Sequence, residues 1–396
     1  MKSLVYKMLM VAGVLAPAVQ AYSLFDAAPA VGVPESYAIR YNAYVNVGVD
    51  DNVHSASSHK ESGGFVKLGV GASYADYESV SKLNYRASVG AQLYDKDAHG
   101  TEDRSFTDIL INGNFTHSMG RGRQYSCSLG LTYTPEVDYS DTYTRDRSYG
   151  ERFNWYINNT YSHALDERWS GNLSLAYSGD VSFDDKYDDR QYLTLGAGLN
   201  YKASERTTYG LSSRYRYEFR EVGVESESVY LNGSVSYALS PVSSLFMSLG
   251  AQYKIVEGSG DVHPDISISY NRELAEGMSV RAYLTYSNEN VMSNLRAYSD
   301  DYRSVETMRA GLRLNYVYTP RVSFFGGVAL TQSDYAESIH GTKGYDRTYW
   351  SANVGMSYKL TGSTSLTLNY TYYAGETYAS EDYQRNVVSA GLNYAF

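Results

Sequence analysis

The sequence predicts an all-β fold, a transmembrane antiparallel up-and-down β-barrel of about 18 strands (16–18). Three observations lead to this fold class. Segments of about ten residues alternate apolar and polar positions along the chain. Short and long connections alternate between these segments. The 43 tyrosines recur near the ends of the apolar faces, and such aromatic girdles mark both membrane boundaries of a barrel.

The first residues predict export. Lys2 and Lys7 give a positive start, residues 8–19 are mostly apolar, and Ala21 ends a small-residue cleavage site. The apolar run is shorter than the roughly 20 residues that a membrane helix needs. We therefore divide the chain into a signal peptide (1–21), a short periplasmic segment (22–35) and a barrel (36–396) that resides in the bacterial outer membrane.

The strands are predicted from a period of two. In the last segment Val388, Leu392 and Phe396 share one face, and Ser389 and Asn393 share the other. A helix would scatter these residues, because its period is 3.6. Eighteen such segments begin near residues 36, 64, 81, 105, 123, 151, 168, 190, 206, 227, 243, 264, 278, 305, 321, 347, 363 and 383.

The connections predict the orientation. Short turns at 119–122, 164–167, 203–205, 240–242, 275–277 and 361–363 alternate with longer segments such as 134–150, 179–189, 288–304 and 333–346. Bacterial barrels place short turns in the periplasm and long loops outside, and an even strand count brings both termini to the periplasm.

Tyrosines on the apolar parity support this orientation. One predicted girdle lies near the periplasmic ends and comprises Tyr74, Phe115, Tyr161, Tyr201, Tyr237, Tyr270, Tyr316, Tyr358 and Tyr394. The other lies near the loop ends and comprises Tyr94, Tyr133, Tyr177, Tyr217, Tyr253, Tyr286 and Tyr372.

The opposite parity is predicted to line an aqueous lumen, since 16 to 18 strands enclose more space than side chains fill. Its charged residues are Arg40, Lys67, Arg86, Arg214, Arg216, Glu218, Lys254, Arg281, Arg309, Arg313, Lys359 and Arg385. Their basic excess suggests a mild anion preference. Inward Tyr44, Phe246, Tyr283 and Phe325 are candidate stacking surfaces for a sugar.

Composition excludes several functions. The formal net charge of −10 argues against a nucleic-acid partner. Cys127 is the only cysteine, so there is no internal disulfide and no cysteine pair for a metal. Neither a Gly-x-Ser-x-Gly elbow nor a zinc motif is present. We predict no cofactor, no metal site and no catalytic residue, and therefore no enzyme.

Two motifs carry a resemblance to bacterial outer-membrane porins. The chain ends in residues 392–396, with Tyr394 and Phe396 in the positions of a C-terminal assembly signal. The segment that follows the first strand resembles the beta-barrel porin 2 family: Gly48-Val49-Asp50-Asp51-Asn52-Val53. The resemblance implies that the barrel assembly machinery reads the final aromatic residue, and that outer-membrane lipid and lipopolysaccharide surround the barrel.

The expected function is a passive diffusion channel for small hydrophilic solutes, with the oligomeric state open. The first alternative is a structural or adhesive barrel without an open pore. The second is an outer-membrane hydrolase, for which His117 with Ser118 and His163 with Ser162 are the candidate pairs.

Loop residues offer further candidates. His54, His59, His99, His263 and His340 lie in or beside predicted loops, where we interpret them as solvated. The acidic segments 184–189 and 300–301 are candidates for cation binding. Loop 135–150 could fold inward to narrow the pore, with these charged residues: Glu136, Asp138, Asp141, Arg145, Asp146 and Arg147.

Overall fold

A computed structural model of the chain describes residues 39–53, 60–77, 80–95, 105–134, 152–182, 189–220, 225–256, 258–289, 305–335, 345–376 and 382–396. The predicted signal peptide and the segment 22–35 lie outside these ranges, as do His54, His59, His99, His340, loop 135–150 and residues 300–301. Those predictions stay predictions. Within the described residues, no helix is long and apolar enough to cross a membrane.

Eighteen strands form the whole of the regular structure in the described ranges. They are β1 Arg40–Asp50, β2 Gly63–Tyr77, β3 Ser81–Tyr94, β4 Ser105–Gly120, β5 Arg123–Thr134, β6 Arg152–Ala164, β7 Trp169–Ser182, β8 Arg190–Lys202, β9 Thr207–Arg220, β10 Ser226–Ser240, β11 Ser243–Val256, β12 Ser259–Ala275, β13 Met278–Glu289, β14 Val305–Val317, β15 Val322–Tyr335, β16 Tyr345–Lys359, β17 Thr364–Glu376 and β18 Asp382–Ala395.

The strands close into a single antiparallel barrel. Each strand pairs with its neighbours in the sequence, and β1 pairs with β18. At that seam the backbone amide of Tyr41 donates to the Phe396 carbonyl at 3.0 Å, and the Phe396 amide donates to the Tyr41 carbonyl at 2.9 Å. The predicted fold class is therefore confirmed. Closure removes the sheet edges, so the ladder satisfies backbone groups all the way round.

Short turns gather at one end of the barrel, together with both ends of the described chain. The turn between β4 and β5 has positive φ at Gly120, Arg121 and Gly122 (70°, 52° and 70°). Glycine adopts this conformation at the least cost, and it occupies two of the three positions. In the turn between β6 and β7, Asp166 accepts hydrogen bonds from the amides of Arg168 and Trp169, both at 2.7 Å. These bonds lower the pKa of the Asp166 carboxyl and fix the turn.

Two faces follow from the pleat, as the alternation predicts. The outer face carries exposed aliphatic side chains on every second residue, such as Val45, Val47 and Val49 in β1 or Leu249 in β11. The inner face carries most of the buried polar and charged side chains. Because side chains alternate across a strand, a residue's parity assigns it to a face.

A small apolar cluster lies on the inner face beside the seam. It contains Val53, Phe65 and Tyr94, with Phe106 and Val387 packed against them. The prediction for Tyr94 was therefore wrong, because Phe65 pairs with Tyr94 and the exposed Leu93 takes the outer position. The aromatic type of Tyr94 suggested a girdle, but an aromatic ring also fits an inner cluster.

The strand starts agree with the predicted ones to within about five residues. The largest difference is β12, which begins at Ser259 rather than near 264. Pro264 suggested a loop, since proline cannot donate to a ladder. The ladder of β12 with β13 begins only at Ile266, so Pro264 lies where its missing amide costs no bond on that side.

Candidate functional site

The inner wall is the candidate functional site, and its charges are largely organised in pairs and clusters. Four groups of side chains account for seven of the twelve predicted lumen residues. The remaining five are four exposed arginines and a half-buried lysine on other parts of the wall.

At the seam, the segment after β1 binds β18. Arg385 donates to Asp50 from Nε at 2.7 Å and from Nη2 at 2.5 Å. Asp51 accepts from the amide of Asn386 at 2.6 Å and from its side chain at 2.7 Å, and Asn52 donates to the Gln384 carbonyl at 2.8 Å. Asp50 and Asn52 are fully buried. The polar residues of the 48–53 motif thus hold the two ends of the sheet together.

On β9 and its neighbours, arginines lie flat against tyrosine rings. The Arg214 guanidinium lies 3.9 Å from the centre of the Tyr230 ring, and that of Arg216 lies 4.0 Å from the centre of Tyr192. Arg214 also approaches Asp265 at 3.9 Å. These contacts use the attraction between a cation and an aromatic face.

A buried polar cluster continues above these stacks. Glu218 is fully buried and accepts from Arg220 Nε at 2.9 Å and from Ser226 Oγ at 3.1 Å. Lys254 is 2% exposed and donates to Asn288 Oδ1 at 3.0 Å and to the Glu289 carbonyl at 3.1 Å. Such desolvated charges persist only when paired and hydrogen-bonded.

Two further ion pairs neutralise predicted lumen cations. Lys67 lies 2.9 Å from Asp108. Arg309 forms a bidentate pair with Glu289, at 2.5 and 2.8 Å. The basic excess of the predicted set therefore overstates the positive charge available to a solute, because carboxylates of the same face compensate these cations. Sequence reasoning missed Asp50, Asp108, Asp265 and Glu289, although strand parity and pairing could have found them.

Arg40, Arg86, Arg281 and Arg313 are exposed on the inner face, and Lys359 is half-buried. Arg281 and Arg313 are directly paired across β13 and β14. This is a like-charge pair in register, an arrangement that costs energy in the absence of a counter-charge.

Three of the four inner aromatic rings, those of Tyr44, Tyr283 and Phe325, lie on the wall rather than across the lumen. A Cβ added at Gly69 would overlap the Tyr44 side chain, one at Gly311 would overlap the Tyr283 ring, and one at Gly355 would overlap the Phe325 ring. A ring that covers a glycine on a neighbouring strand turns one face to the lumen.

The pairs considered for hydrolysis are not formed. The Nδ1 of His117 lies 2.8 Å from Ser81 Oγ on the neighbouring strand, whereas Ser118 follows His117 and points to the other face. The ring of Phe115 stacks beside His117 at 6.2 Å. For His163 the described contact is with the ring of Tyr161, at 6.4 Å.

His263 lies in β12, close to its first residues, and its Nδ1 contacts Glu306 Oε1 at 3.3 Å. It is therefore a strand residue with a carboxylate partner, whereas the sequence placed it in or beside a loop. Among the residues that the structure describes, no group of three or more histidine, cysteine or acidic side chains could hold a metal ion.

No protein-family model matches the chain, and no curated protein sequence matches it. The resemblance to the beta-barrel porin 2 family stays a prediction.

Several solved structures are similar to this chain at low identity. A mutant of the ferric enterobactin receptor PfeA from Pseudomonas aeruginosa, in complex with enterobactin, is 8% identical over 92% of this chain and 82% of that chain, with a TM-score of 0.49. The FrpB iron transporter from Neisseria meningitidis is 10% identical over 90% and 81%, with a TM-score of 0.47. The copper transporter OprC is 11% identical over 87% and 64%, with a TM-score of 0.43. At these identities and scores the likeness says nothing about what this chain binds or transports.

Proposed function

We propose that the protein is a porin of the bacterial outer membrane, a passive diffusion channel for small hydrophilic solutes. The observation that carries this proposal is the closed 18-strand barrel with an apolar outer face and a polar, charged inner face. A barrel of this strand number encloses more space than its side chains fill, which leaves an aqueous channel.

The outer face supports the membrane location. Leu173, Leu211, Leu231, Leu249 and Val262 are all more than half exposed. Such a continuous exposed apolar surface is unfavourable in water and favourable in lipid. With the short turns in the periplasm, both ends of the described chain lie there, and lipopolysaccharide surrounds the long connections.

The C-terminus supports recognition by the barrel assembly machinery. Phe396 is 64% exposed on the outer side, and its ring stacks on Tyr41 at 6.0 Å and beside Tyr394 at 5.6 Å. An exposed terminal aromatic residue at the closing seam is available to a partner before β18 joins β1. This arrangement fits the porin resemblance of the last five residues.

The test is the conductance of the refolded protein without residues 1–21 in a planar bilayer, with a heat-modifiability gel to verify that the barrel has formed. We expect stable, step-like increases in current. A folded barrel without conductance would contradict the proposal and favour a structural or adhesive barrel. Reversal potentials in a salt gradient then measure ion preference.

An esterase assay on the same folded sample tests the hydrolase alternative. We expect no hydrolysis above that of a Ser81→Ala variant. The described contact joins the Ser81 hydroxyl to the His117 imidazole, and we assign no further catalytic group to this pair.

A further inference from the structure

Polar side chains from three strands converge on the inner wall above β11. The Asn232 carboxamide of β10 donates to Asp265 Oδ2 of β12 at 3.0 Å, and the Arg214 guanidinium of β9 lies 3.9 Å from the same oxygen. The Asn232 side chain crosses β11 at Gly250, where an added Cβ would overlap it. We define the Asp265 cluster as Arg214, Asn232 and Asp265.

The Asp265 cluster is open to the lumen and carries no net charge. The Arg214 side chain is 43% exposed and that of Asp265 is 18% exposed. Arg214 is held flat against the Tyr230 ring, 3.9 Å from its centre. A guanidinium offers only donors and a carboxylate only acceptors. A neutral solute with hydroxyl groups can use both, whereas an ion of either sign meets one like charge.

A row of serines extends the cluster towards the short turns. Ser234 of β10, Ser248 of β11 and Ser267 of β12 lie on one rung of the sheet, one inner-face position from the rung of Asn232 and Asp265. All three serines are half-buried. Each hydroxyl can both donate and accept a hydrogen bond, and the short side chains leave room above the wall. This part of the wall is therefore neutral and rich in hydroxyl groups.

The Phe246 ring lies at the far end of the serine row. It is 37% exposed. Its partners in register are Ser236 on β10 and Ser269 on β12, so only small side chains flank it on the neighbouring strands. Phe246 precedes Gly250 by four residues on β11, a span of ~14 Å. A charged end, a hydroxyl floor and an apolar end thus follow one another along this strand.

We define the lumenal strip as the Asp265 cluster, the serine row and Phe246, and we propose that it is a binding subsite for neutral oligosaccharides. This proposal rests on the proposed channel function and names the solute class that the channel favours. Sugar hydroxyls donate to Asp265 and accept from Arg214, while the apolar face of a sugar ring packs on Phe246. The length of the strip suits a short chain of sugar rings.

The test measures how added sugars reduce the ion current through single channels. We expect maltotriose to act at a concentration about tenfold below that needed for sorbitol, because acyclic sorbitol has hydroxyl groups but no ring face for Phe246. Glucuronate should act no more strongly than glucose, because its carboxylate meets Asp265. A stronger action of glucuronate would overturn the assignment to neutral solutes.

Two variants test the two ends of the strip. Phe246→Ala should weaken the maltotriose effect about fivefold and leave the sorbitol effect unchanged, whereas Phe246→Tyr keeps an aromatic face and should stay within about twofold of the native channel. The double variant R214Q/D265N removes both charges and keeps the net charge. It should weaken the maltotriose effect about tenfold, the change expected from one lost hydrogen bond to a charged group.

The matched controls alter the same residue types elsewhere on the inner wall. K67Q/D108N removes an ion pair of 2.9 Å, and Phe325→Ala removes another inner ring. Both should retain the maltotriose effect to within about twofold, with folding of every variant verified on a heat-modifiability gel. Equal action of maltotriose and sorbitol on the native channel would overturn the proposal. So would an unchanged maltotriose effect in R214Q/D265N or F246A, or equal losses in the controls.

Failure of the channel function is distinguishable from failure of the subsite. If the folded barrel shows no current, saturation-transfer NMR measures maltotriose binding to the same sample. A maltotriose signal that R214Q/D265N abolishes would support the subsite without the channel. An absent signal, or one that the variant retains, would overturn the subsite.

Discussion

Replacing Arg385 by glutamine should destabilise the barrel at its seam. The Arg385 and Asp50 side chains are only 8% and 0% exposed, so the substitution leaves a carboxylate in a nearly dry site. Breaking a buried pair by removing one partner costs about 3–5 kcal/mol. Asp50 Oδ1 keeps the hydrogen bond from the Asn52 amide at 3.1 Å, which favours the lower end of that range.

The assay is chemical denaturation of the protein refolded in lipid vesicles, followed by tryptophan fluorescence and by gel mobility. We expect R385Q to lower the free energy of unfolding by about 3 kcal/mol. The double variant D50N/R385Q also removes the buried carboxylate charge that R385Q leaves without its guanidinium, so it should recover about half of the loss. The double-mutant cycle then gives the coupling energy.

The control is Arg40→Gln, an exposed inner-face arginine at the other end of β1. It should change the free energy of unfolding by less than about 0.5 kcal/mol. A loss below about 1 kcal/mol in R385Q, or equal losses in R385Q and R40Q, would refute the argument that the seam pair is desolvated and stabilises closure.

Three further predictions concern the two faces and the terminus. Leu249→Arg places a charge on an outer position that is 66% exposed, and it should lower the free energy of unfolding in vesicles by about 2–4 kcal/mol. Ser248→Arg, one residue away on the inner face, should lower it little. Equal losses of stability in the two variants would mean that the faces are misassigned. Gly355→Val should lower the free energy of unfolding, measured by denaturation, by about 1–3 kcal/mol. The added Cβ would overlap the Phe325 ring and lie 2.8 Å from a backbone carbonyl oxygen. An unchanged stability would show that the Phe325 ring has another position. Phe396→Ala should reduce the fraction of the protein that folds in cells, measured on a heat-modifiability gel. It should change the equilibrium stability little, since the Phe396 ring is mostly exposed. Normal assembly of this variant in cells would show that Phe396 is not part of the assembly signal.

The seam gives a structural reason for the 48–53 segment, which carried the family resemblance. Its glycine and its polar residues act together: Gly48 leaves space for the Phe65 ring, while Asp50, Asp51 and Asn52 bind β18. These contacts join residues more than 330 positions apart in the chain. A motif next to the first strand therefore acts on the last one.

The inner wall shows where sequence reasoning reached its limit. Parity placed Arg281 and Arg313 on the inner face, and it placed Arg309 and Arg385 there too. It could not say that the second pair is neutralised and the first is exposed, because that depends on which strands meet and in which register. Tyr94 was assigned to the wrong face for a different reason: its aromatic type suggested the outer girdle, whereas an aromatic residue near a strand end also fits an inner cluster.

The sequence by itself determined the fold class, the strand number, most strand bounds and the alternation of short and long connections. These features are local, because a period of two and a turn residue are readable within about ten positions. The tertiary structure decided the closing seam, the compensation of lumen charges and the direct pairing of Arg281 with Arg313. Register is set by the whole closed sheet, and a one-residue slip would move every side chain to the other face, so no single segment could specify it.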